Sequence, residues 1–182
     1  VAVFIFEYAL AQMMIKWGIK PYAMMGYSFG EYTAACISGV FSLTDALKLV
    51  VSRGRLLQQA PGGVMLSVPL SRVELAPYLA EKKEISLAID NGLSCVIAGS
   101  SPAVDLLAKQ LKQKRVMSMP VPSERALHSH MMDPILEKFT ALFDTITLDK
   151  PKIPYISNIT GDWIVPGEAA SPAYWARHLR EP

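Results

Sequence analysis

A serine flanked by glycines is the clearest sign of chemistry in this sequence. Residues 26–30 read Gly-Tyr-Ser-Phe-Gly, directly after the short apolar run 22–25 and directly before a helical stretch over 31–38. The order strand, GxSxG, helix is typical of a nucleophile elbow, in which side chains at both glycine positions would collide with the strand and the helix. The sequence therefore predicts Ser28 as a nucleophile and the N–H of Phe29 as the oxyanion donor. The alternative is a glycine-rich turn that carries a solvated serine.

A nucleophilic serine needs a base, and the chain has three histidines. His128 and His130 lie where an internal segment rejoins the rest of the chain, so both are candidates, and position alone does not choose between them. His178 lies in an amphipathic helix among arginines and is expected at the surface. No acidic residue suits a third triad position, because Asp133 fits the cap of a helix better. A backbone carbonyl could orient the imidazole instead, and the loop at Asn158 is a candidate.

An arginine on an apolar helix face is the third informative feature. Arg53 follows the same helical spacing as Ala46, Val50 and Leu57. A buried charge without a partner is very costly, so this guanidinium needs an anion. The anion is either Glu31, in a structural ion pair, or a substrate carboxylate held by two hydrogen bonds. Spacing alone favours the structural pair.

Composition sets the frame for these candidates. The 182 residues are 51% hydrophobic and carry 18 Lys and Arg against 16 Asp and Glu, which excludes disorder and a strongly basic nucleic-acid binder. No apolar run reaches the ~18 residues of a membrane span. The two cysteines lie in apolar stretches, which favours reduced thiols and a cytoplasmic location. No CxxC or HExxH motif is present, so no metal site is predicted. The chain opens inside a helical pattern, as expected of a piece of a longer polypeptide.

The elements that must position these residues predict an α/β fold with an inserted subdomain. Residues 64–121 have the order strand, helix, strand, strand, helix, strand, which is the ferredoxin-like βαββαβ unit. We therefore predict a ferredoxin-like subdomain over residues 63–121, inserted into a larger lobe formed by residues 1–62 and 122–182. The candidate serine, arginine and histidines all fall in the larger lobe under this division.

The sequence as a whole resembles the acyltransferase domain of modular polyketide synthases, including hybrid polyketide–peptide synthases. Blocks that carry the resemblance follow one another in order along the entire chain: Gly26–Tyr32, Ala34–Cys36, Ser38–Leu43, Arg53–Leu56, Pro61–Gly63, Ala126–Ser129, Met131–Ile135, Ser157–Gly161 and Tyr174–Arg180. The family fold is an α/β-hydrolase-like lobe that carries a ferredoxin-like insertion. The resemblance also places the family's first strand before this segment, so an isolated fragment could lack activity.

The resemblance implies a two-step acyl transfer. Ser28 attacks the thioester of an acyl-CoA, expected to be malonyl-CoA, and His128 accepts its proton. His128 then activates the phosphopantetheine thiol of an acyl carrier protein. Arg53 matches the family arginine that pairs with the free carboxylate of the substrate, and a backbone carbonyl near Asn158 orients the histidine. No permanently bound cofactor is implied, and the expected partners are the carrier protein and a neighbouring ketosynthase.

Four positions bear on the choice of acyl group. The family's usual histidine before the nucleophile is replaced by Tyr27, and the four-residue selectivity motif reads Arg125-Ala-Leu127-His. This motif resembles the malonyl type with leucine in place of phenylalanine, although neither family motif has a cation at position 125. Phe29 is bulky where methylmalonyl enzymes carry glutamine. Large side chains at 29 and 127 leave little space for an α-methyl group, which favours malonyl.

Two other functions are compatible with the family pattern. A thioester hydrolase that removes stalled acyl chains would use the same serine and histidine, but such relatives lack the arginine found at position 53. A fragment that serves only as a docking scaffold would need neither Ser28 nor His128, and both are present.

Overall fold

The computed structural model describes all residues, 1–182. Its helices are α1 (Ala2–Lys16), α2 (Gly30–Ser38), α3 (Leu43–Gln59), α4 (Arg72–Leu79), α5 (Ser101–Gln113), α6 (Asp133–Ala141), α7 (Pro166–Ala169) and α8 (Pro172–Arg180). Its strands are β1 (Met24–Met25), β2 (Val64–Val68), β3 (Ile85–Asp90), β4 (Cys95–Gly99), β5 (Met119–Val121) and β6 (Tyr155–Ile156). Short 3-10 helices at His130–Met132 and Leu142–Thr145 flank α6. No helix combines the length and apolar character needed to cross a bilayer.

The chain divides into two compact units, and the first contains the serine turn. It comprises residues 1–58 and 138–178. Strand β1 pairs in parallel with β6, with Met24 opposite Tyr155 and Met25 opposite Ile156. Because parallel strands present their carboxyl ends at one edge, the residues that follow β1 and those that follow β6 lie close together. This pairing places the serine turn beside the loop that contains Asn158.

Helices α2 and α3 contribute many of the buried residues of the first unit. The apolar positions of α3 recur at helical spacing, and the buried stripe includes Ala46, Leu49, Val50 and Arg53. Helix α2 is buried almost throughout, although the apolar run before it is not, since Met25 of β1 is 80% exposed. It ends at Gly39, whose φ of 85° is a left-handed conformation that glycine adopts without steric cost.

The second unit comprises residues 59–137 and 179–182. Its antiparallel sheet has the strand order β3-β4-β2-β5, and α4 and α5 are the crossover helices. The observed order β2-α4-β3-β4-α5-β5 matches the predicted order of elements. This compact unit also takes in residues 122–137, which the sequence division placed with the larger lobe. The histidine at 128 therefore lies in the same unit as the antiparallel sheet.

Two elements differ from the sequence prediction. The sequence predicts the last strand of this unit over residues 116–121, but β5 begins only at Met119. Residues 114–116 instead close the end of α5: the N–H of Val116 donates to the carbonyl of Leu111, and Arg115 has a φ of 61°. Helix α7 was not predicted, because it has only four residues, too few to show a periodic pattern.

Candidate active site

The turn between β1 and α2 has the geometry of a nucleophile elbow. Ser28 has a φ of 47°, a left-handed conformation that is uncommon outside glycine. A Cβ atom on Gly26 would lie 2.1 Å from the carbonyl carbon of Gly30, so the predicted steric need for glycine is confirmed at position 26. At Gly30 the prediction is wrong, since a Cβ there would meet only the carboxylate oxygens of Glu7, at 3.8 Å.

This difference between the two glycines gives the first testable prediction. Gly26→Ala forces a methyl group against backbone atoms and is expected to destabilise the protein by about 2–3 kcal/mol or more, with loss of the elbow geometry. Gly30→Ala, the matched control, places its methyl group in ordinary contact at the start of a helix and is expected to cost less than about 1 kcal/mol. Chemical unfolding of the two variants measures both values. Equal destabilisation would contradict the steric explanation.

Phe29 lies at the N-cap of α2, next to Ser28. The first N–H groups of a helix have no acceptor within the helix, and the helix dipole places partial positive charge at the same end. In α2 the N–H groups of residues 30–32 already bond to the carbonyl oxygens of residues 27–29, so they are not available to the oxyanion of an acyl group attached to Ser28, and the N–H of Phe29 is the candidate donor at this end. The role of the Phe29 N–H as oxyanion donor stays a prediction.

Arg53 is buried in α3, with 5% of its surface exposed. Its guanidinium carbon lies 5.0 Å from the ring centre of Phe29 and 5.4 Å from that of Tyr32, and its Nε has no hydrogen-bond partner. Burial raises the pKa of Tyr32 to about 12 despite this cation, so the tyrosine stays neutral. The guanidinium thus faces aromatic rings and leaves its charge available to an anion from outside the chain.

The expected structural pair between Arg53 and Glu31 is wrong, because the Glu31 carboxylate has other partners. Its Oε2 lies 3.3 Å from His178 Nε2 and accepts the N–H of Asn158 at 2.8 Å, while its Oε1 accepts the hydroxyl of Tyr174. The carboxylate is completely buried among these groups.

The expected surface position of His178 is also wrong, since only 1% of the residue is exposed. Buried residues on α8 recur at 174, 175, 178 and 179, and Arg177 points to solvent between them. The imidazole packs edge-on against Tyr32, with ring centres 5.4 Å apart. Because the sequence neighbours of His178 are arginines, the sequence does not indicate that this helix face is buried. Its acidic partner, Glu31, lies 147 positions away.

His128 lies in the second unit and is 6% exposed. Its Nδ1 lies 3.1 Å from the backbone carbonyl oxygen of Glu181, so a carbonyl orients this ring, as the absence of a suitable acid had indicated. The corresponding role predicted for Asn158 stays a prediction. His128 has a φ of 54°, and only Ser28 and Arg115 share a positive φ among the non-glycine residues. Strained backbone of this kind clusters at functional sites.

The segment that carries His128 is held against the antiparallel sheet. Ala126 is fully buried, and a Cβ on Gly63 would lie 2.8 Å from its methyl group, so only glycine allows this close approach. His130, which had no sequence-based role once His128 was chosen, contacts Ser86 of β3: the Ser86 Oγ accepts the His130 N–H at 3.3 Å and lies 2.9 Å from Nδ1. These contacts fix the chain on both sides of His128.

Ser86→Ala is expected to remove both contacts to His130 and to lower the free energy of unfolding by about 1–2 kcal/mol, since hydrogen-bonding groups of a half-buried histidine lose their partner. Ser94→Ala, in the turn between β3 and β4, is the control and should change stability by less than about 0.5 kcal/mol. Urea unfolding measures the difference. A Ser86→Ala protein as stable as the control would show that the contact does not hold this segment.

The remaining predicted residues have the following positions. Tyr27 is 64% exposed beside Ser28. Arg125 donates from Nη1 to the carbonyl of Glu124 at 2.9 Å, and Leu127 packs against the buried cluster that includes Ala126. Their substrate-binding roles stay predictions. The pairing of Ser28 with His128 also stays a prediction, because the two residues belong to different units.

Sequence comparison defines the class of this protein. The family model described as "Acyl transferase domain" matches residues 1–182, so the chain belongs to the acyl transferase domain family. It is 38% identical over 184 residues to the spectinabilin polyketide synthase system protein NorB of Streptomyces orinoci. The match covers 100% of this chain but 8% of that relative, so the chain spans a small part of the curated relative's length.

Solved structures agree with this membership. The acyl transferase domain of ZmaA is 49% identical, with a TM-score of 0.91, over 99% of this chain and 42% of that chain. The acyl transferase domain of SpnD, solved in complex with 2-(pent-4-yn-1-yl)malonyl, is 39% identical with a TM-score of 0.94, over 99% of this chain and 44% of that chain. The predicted resemblance to polyketide synthase acyltransferases is therefore confirmed.

Proposed function

We propose that this protein transfers a malonyl unit from malonyl-CoA, through an acyl-serine at Ser28, to the phosphopantetheine thiol of an acyl carrier protein in polyketide biosynthesis. The observation that carries the proposal is the buried guanidinium of Arg53 against the Phe29 ring, with an Nε that has no hydrogen-bond partner. A buried cation that contacts Phe29, the residue after the nucleophile, favours acyl groups that carry a negative charge. The free carboxylate of malonyl-CoA is such a group.

In the first half-reaction the Ser28 oxygen forms a bond to the thioester carbon, and His128 accepts the hydroxyl proton. The Phe29 N–H stabilises the oxyanion, a contribution of about 3 kcal/mol in comparable sites. The carbon–sulfur bond then breaks, and the proton passes from His128 to the coenzyme A sulfur. The products are free coenzyme A and malonyl-Ser28.

In the second half-reaction His128 accepts the proton of the carrier-protein thiol. The sulfur attacks the ester carbon of malonyl-Ser28, the carbon–oxygen bond breaks, and the proton returns to the Ser28 oxygen. The two half-reactions are chemically symmetrical, so one base serves both. The left-handed φ of both Ser28 and His128 supports their assignment as nucleophile and base.

The proposed selectivity for malonyl depends on side-chain size. Phe29 and Leu127 lie on the two segments that carry the nucleophile and the base, and a misfitting methyl group costs about 1–3 kcal/mol. Tyr27 and Arg125 complete the proposed substrate-binding set, and a carbonyl near Asn158 is proposed to help orient the histidine. The relative SpnD binds a substituted malonyl group in its solved complex, which supports a malonyl-type acyl group in this family.

The finer organisation is part of the proposal. We assign an α/β-hydrolase-like lobe to residues 1–62 and 122–182 and a ferredoxin-like subdomain to residues 63–121. This assignment follows the order of elements along the chain, whereas the compact units place residues 59–62, 122–137 and 179–182 with the antiparallel sheet. The sheet order β3-β4-β2-β5 with two crossover helices supports the second assignment. The proposed partners are an acyl carrier protein and a ketosynthase of the same synthase. A cytoplasmic location is proposed, in agreement with two free, buried cysteines.

The proposal is tested by presenting the full-length protein with malonyl-CoA, methylmalonyl-CoA and acetyl-CoA in competition. Intact-mass spectrometry follows the covalent adduct, and a chase with a phosphopantetheinylated carrier protein follows its transfer. We expect a malonyl adduct that moves to the carrier thiol. Release of free malonate without carrier loading would instead identify a thioester hydrolase, and absence of any adduct or turnover would leave a docking role.

A further inference from the structure

Asn158 contacts the nucleophile turn on both sides of Ser28. Its side-chain Nδ2 donates to the carbonyl oxygen of Gly26 at 2.7 Å. Its backbone N–H donates to the Glu31 carboxylate at 2.8 Å. One residue thus joins the end of strand β1 to the first turn of helix α2, across the turn that carries the serine. We call these two hydrogen bonds the Asn158 bridge.

The turn that the bridge spans needs such support. A non-glycine residue in a sparsely populated backbone region costs about 1–3 kcal/mol and persists only where the surrounding contacts fix it. Ser28 has a φ of 47°. Within the turn, the N–H of Gly30 bonds to Tyr27 and the N–H of Glu31 bonds to Ser28. These local bonds fix the helical side of the turn, whereas the Gly26 side receives a hydrogen bond from Asn158.

The Glu31 end of the bridge lies in a buried network of hydrogen bonds. Glu31 is fully buried, and its carboxylate also contacts the Tyr174 hydroxyl and His178. The Tyr174 oxygen lies 2.8 Å from the hydroxyl of Ser157, the residue before Asn158. Burial, and then the Glu31 charge, raise the pKa of Tyr174, so its hydroxyl stays protonated and can donate to the carboxylate. The Glu31 end of the bridge and the residue before Asn158 are therefore both attached to the Tyr174 hydroxyl.

We infer that Asn158 is a positioning residue for the nucleophile, which holds the Ser28 turn in its attacking geometry through Gly26 and Glu31. This inference rests on the proposed function only in that Ser28 is the nucleophile, and it differs from the predicted carbonyl contact of Asn158 to the histidine. A displacement of about 1 Å at a nucleophile lowers a rate by about 100-fold. Loss of the bridge should therefore act on the rate of the chemical step more than on substrate binding.

The test compares Asn158→Asp with wild type and with Asn91→Asp, all in the full-length protein. Asn158→Asp keeps the size of the side chain but removes the donor to Gly26, and Asn158→Ser removes it without adding a charge. Asn91, the other asparagine of the chain, lies in the exposed turn after β3 and is the matched control. The first readout is the rate at which a fluorophosphonate, a general probe for activated serines, labels Ser28. The second readout is malonyl loading, separated into maximal rate and KM.

We expect both Asn158 variants to label and load about 10- to 100-fold more slowly per folded molecule, with KM changed less than about threefold, while Asn91→Asp matches wild type. A residue with only a structural role would lower the melting temperature without changing the rate per folded molecule, and that result would overturn the inference. Labelling of either variant at the wild-type rate would also overturn it. The phosphonate comparison decides the role of Asn158 even if the wild-type protein does not load malonyl, so the two failures are distinguishable.

Discussion

Arg53→Ala is expected to lower malonyl loading by about 100-fold or more and to bring acetyl loading level with it or above it. Removing one partner of a buried charge pair costs about 3–5 kcal/mol, and a neutral acyl group does not lose that interaction. The buried Glu31 carboxylate binds His178, Asn158 and Tyr174, so removal of the guanidinium does not leave this anion without partners. Competition between malonyl-CoA and acetyl-CoA, followed by intact-mass spectrometry, gives the ratio of the two adducts.

Two further variants sharpen this result. Arg55→Ala is the matched control, because Arg55 lies two residues away on the same helix and is exposed, and it should keep the wild-type preference. Arg53→Lys should recover only part of the preference, since an ammonium group cannot form the two parallel hydrogen bonds that a guanidinium offers to a carboxylate. An Arg53→Ala protein that still prefers malonyl would remove this residue from substrate recognition.

Ser28→Ala and His128→Ala are each expected to lower malonyl loading by at least ~10³-fold, and the double variant should be no slower than either single variant. A nucleophile and its base act as one unit, so their effects do not add. Initial loading rates of the three proteins and the wild type measure this coupling. His130→Ala is the control, because His130 is assigned a structural contact with Ser86, and it should stay within about tenfold of wild type.

Multiplicative effects of the two single substitutions would show that Ser28 and His128 act independently. This outcome would contradict the proposed proton transfer between them. A His128→Ala protein that loads malonyl at the wild-type rate would also contradict this proton transfer, and another residue would have to act as the base.

Local patterns explain which parts of the fold could be predicted. The helical spacing of apolar residues in α3 and α5, the short apolar run of β2 and the glycine before the nucleophile are properties of neighbouring residues, so they are visible in the sequence. The buried contacts of Glu31 are not, because its partners Asn158, Tyr174 and His178 lie more than a hundred positions away. His178 was misplaced for the same reason, since its arginine neighbours indicated a solvent-facing helix.

The candidate site shows the same division. Ser28 and Phe29 follow from a motif whose chemistry is set by local geometry, whereas the partner of Arg53 could only be decided once Glu31 was seen to bind other groups. One signal for the Asn158 bridge was available: Asn158 follows β6 just as the serine turn follows β1. Recognising it would have required knowing that these two strands pair.

The most direct test is to locate the acyl group after brief incubation with malonyl-CoA. Trypsin is expected to release residues 17–48 as one peptide, because the bond after Lys20 precedes proline and resists cleavage. We predict that this peptide gains the mass of one malonyl group and that fragmentation places it on Ser28, with no such gain in Ser28→Ala. Malonyl on any other residue, or malonyl transfer to a carrier protein by Ser28→Ala, would contradict the assignment of the nucleophile.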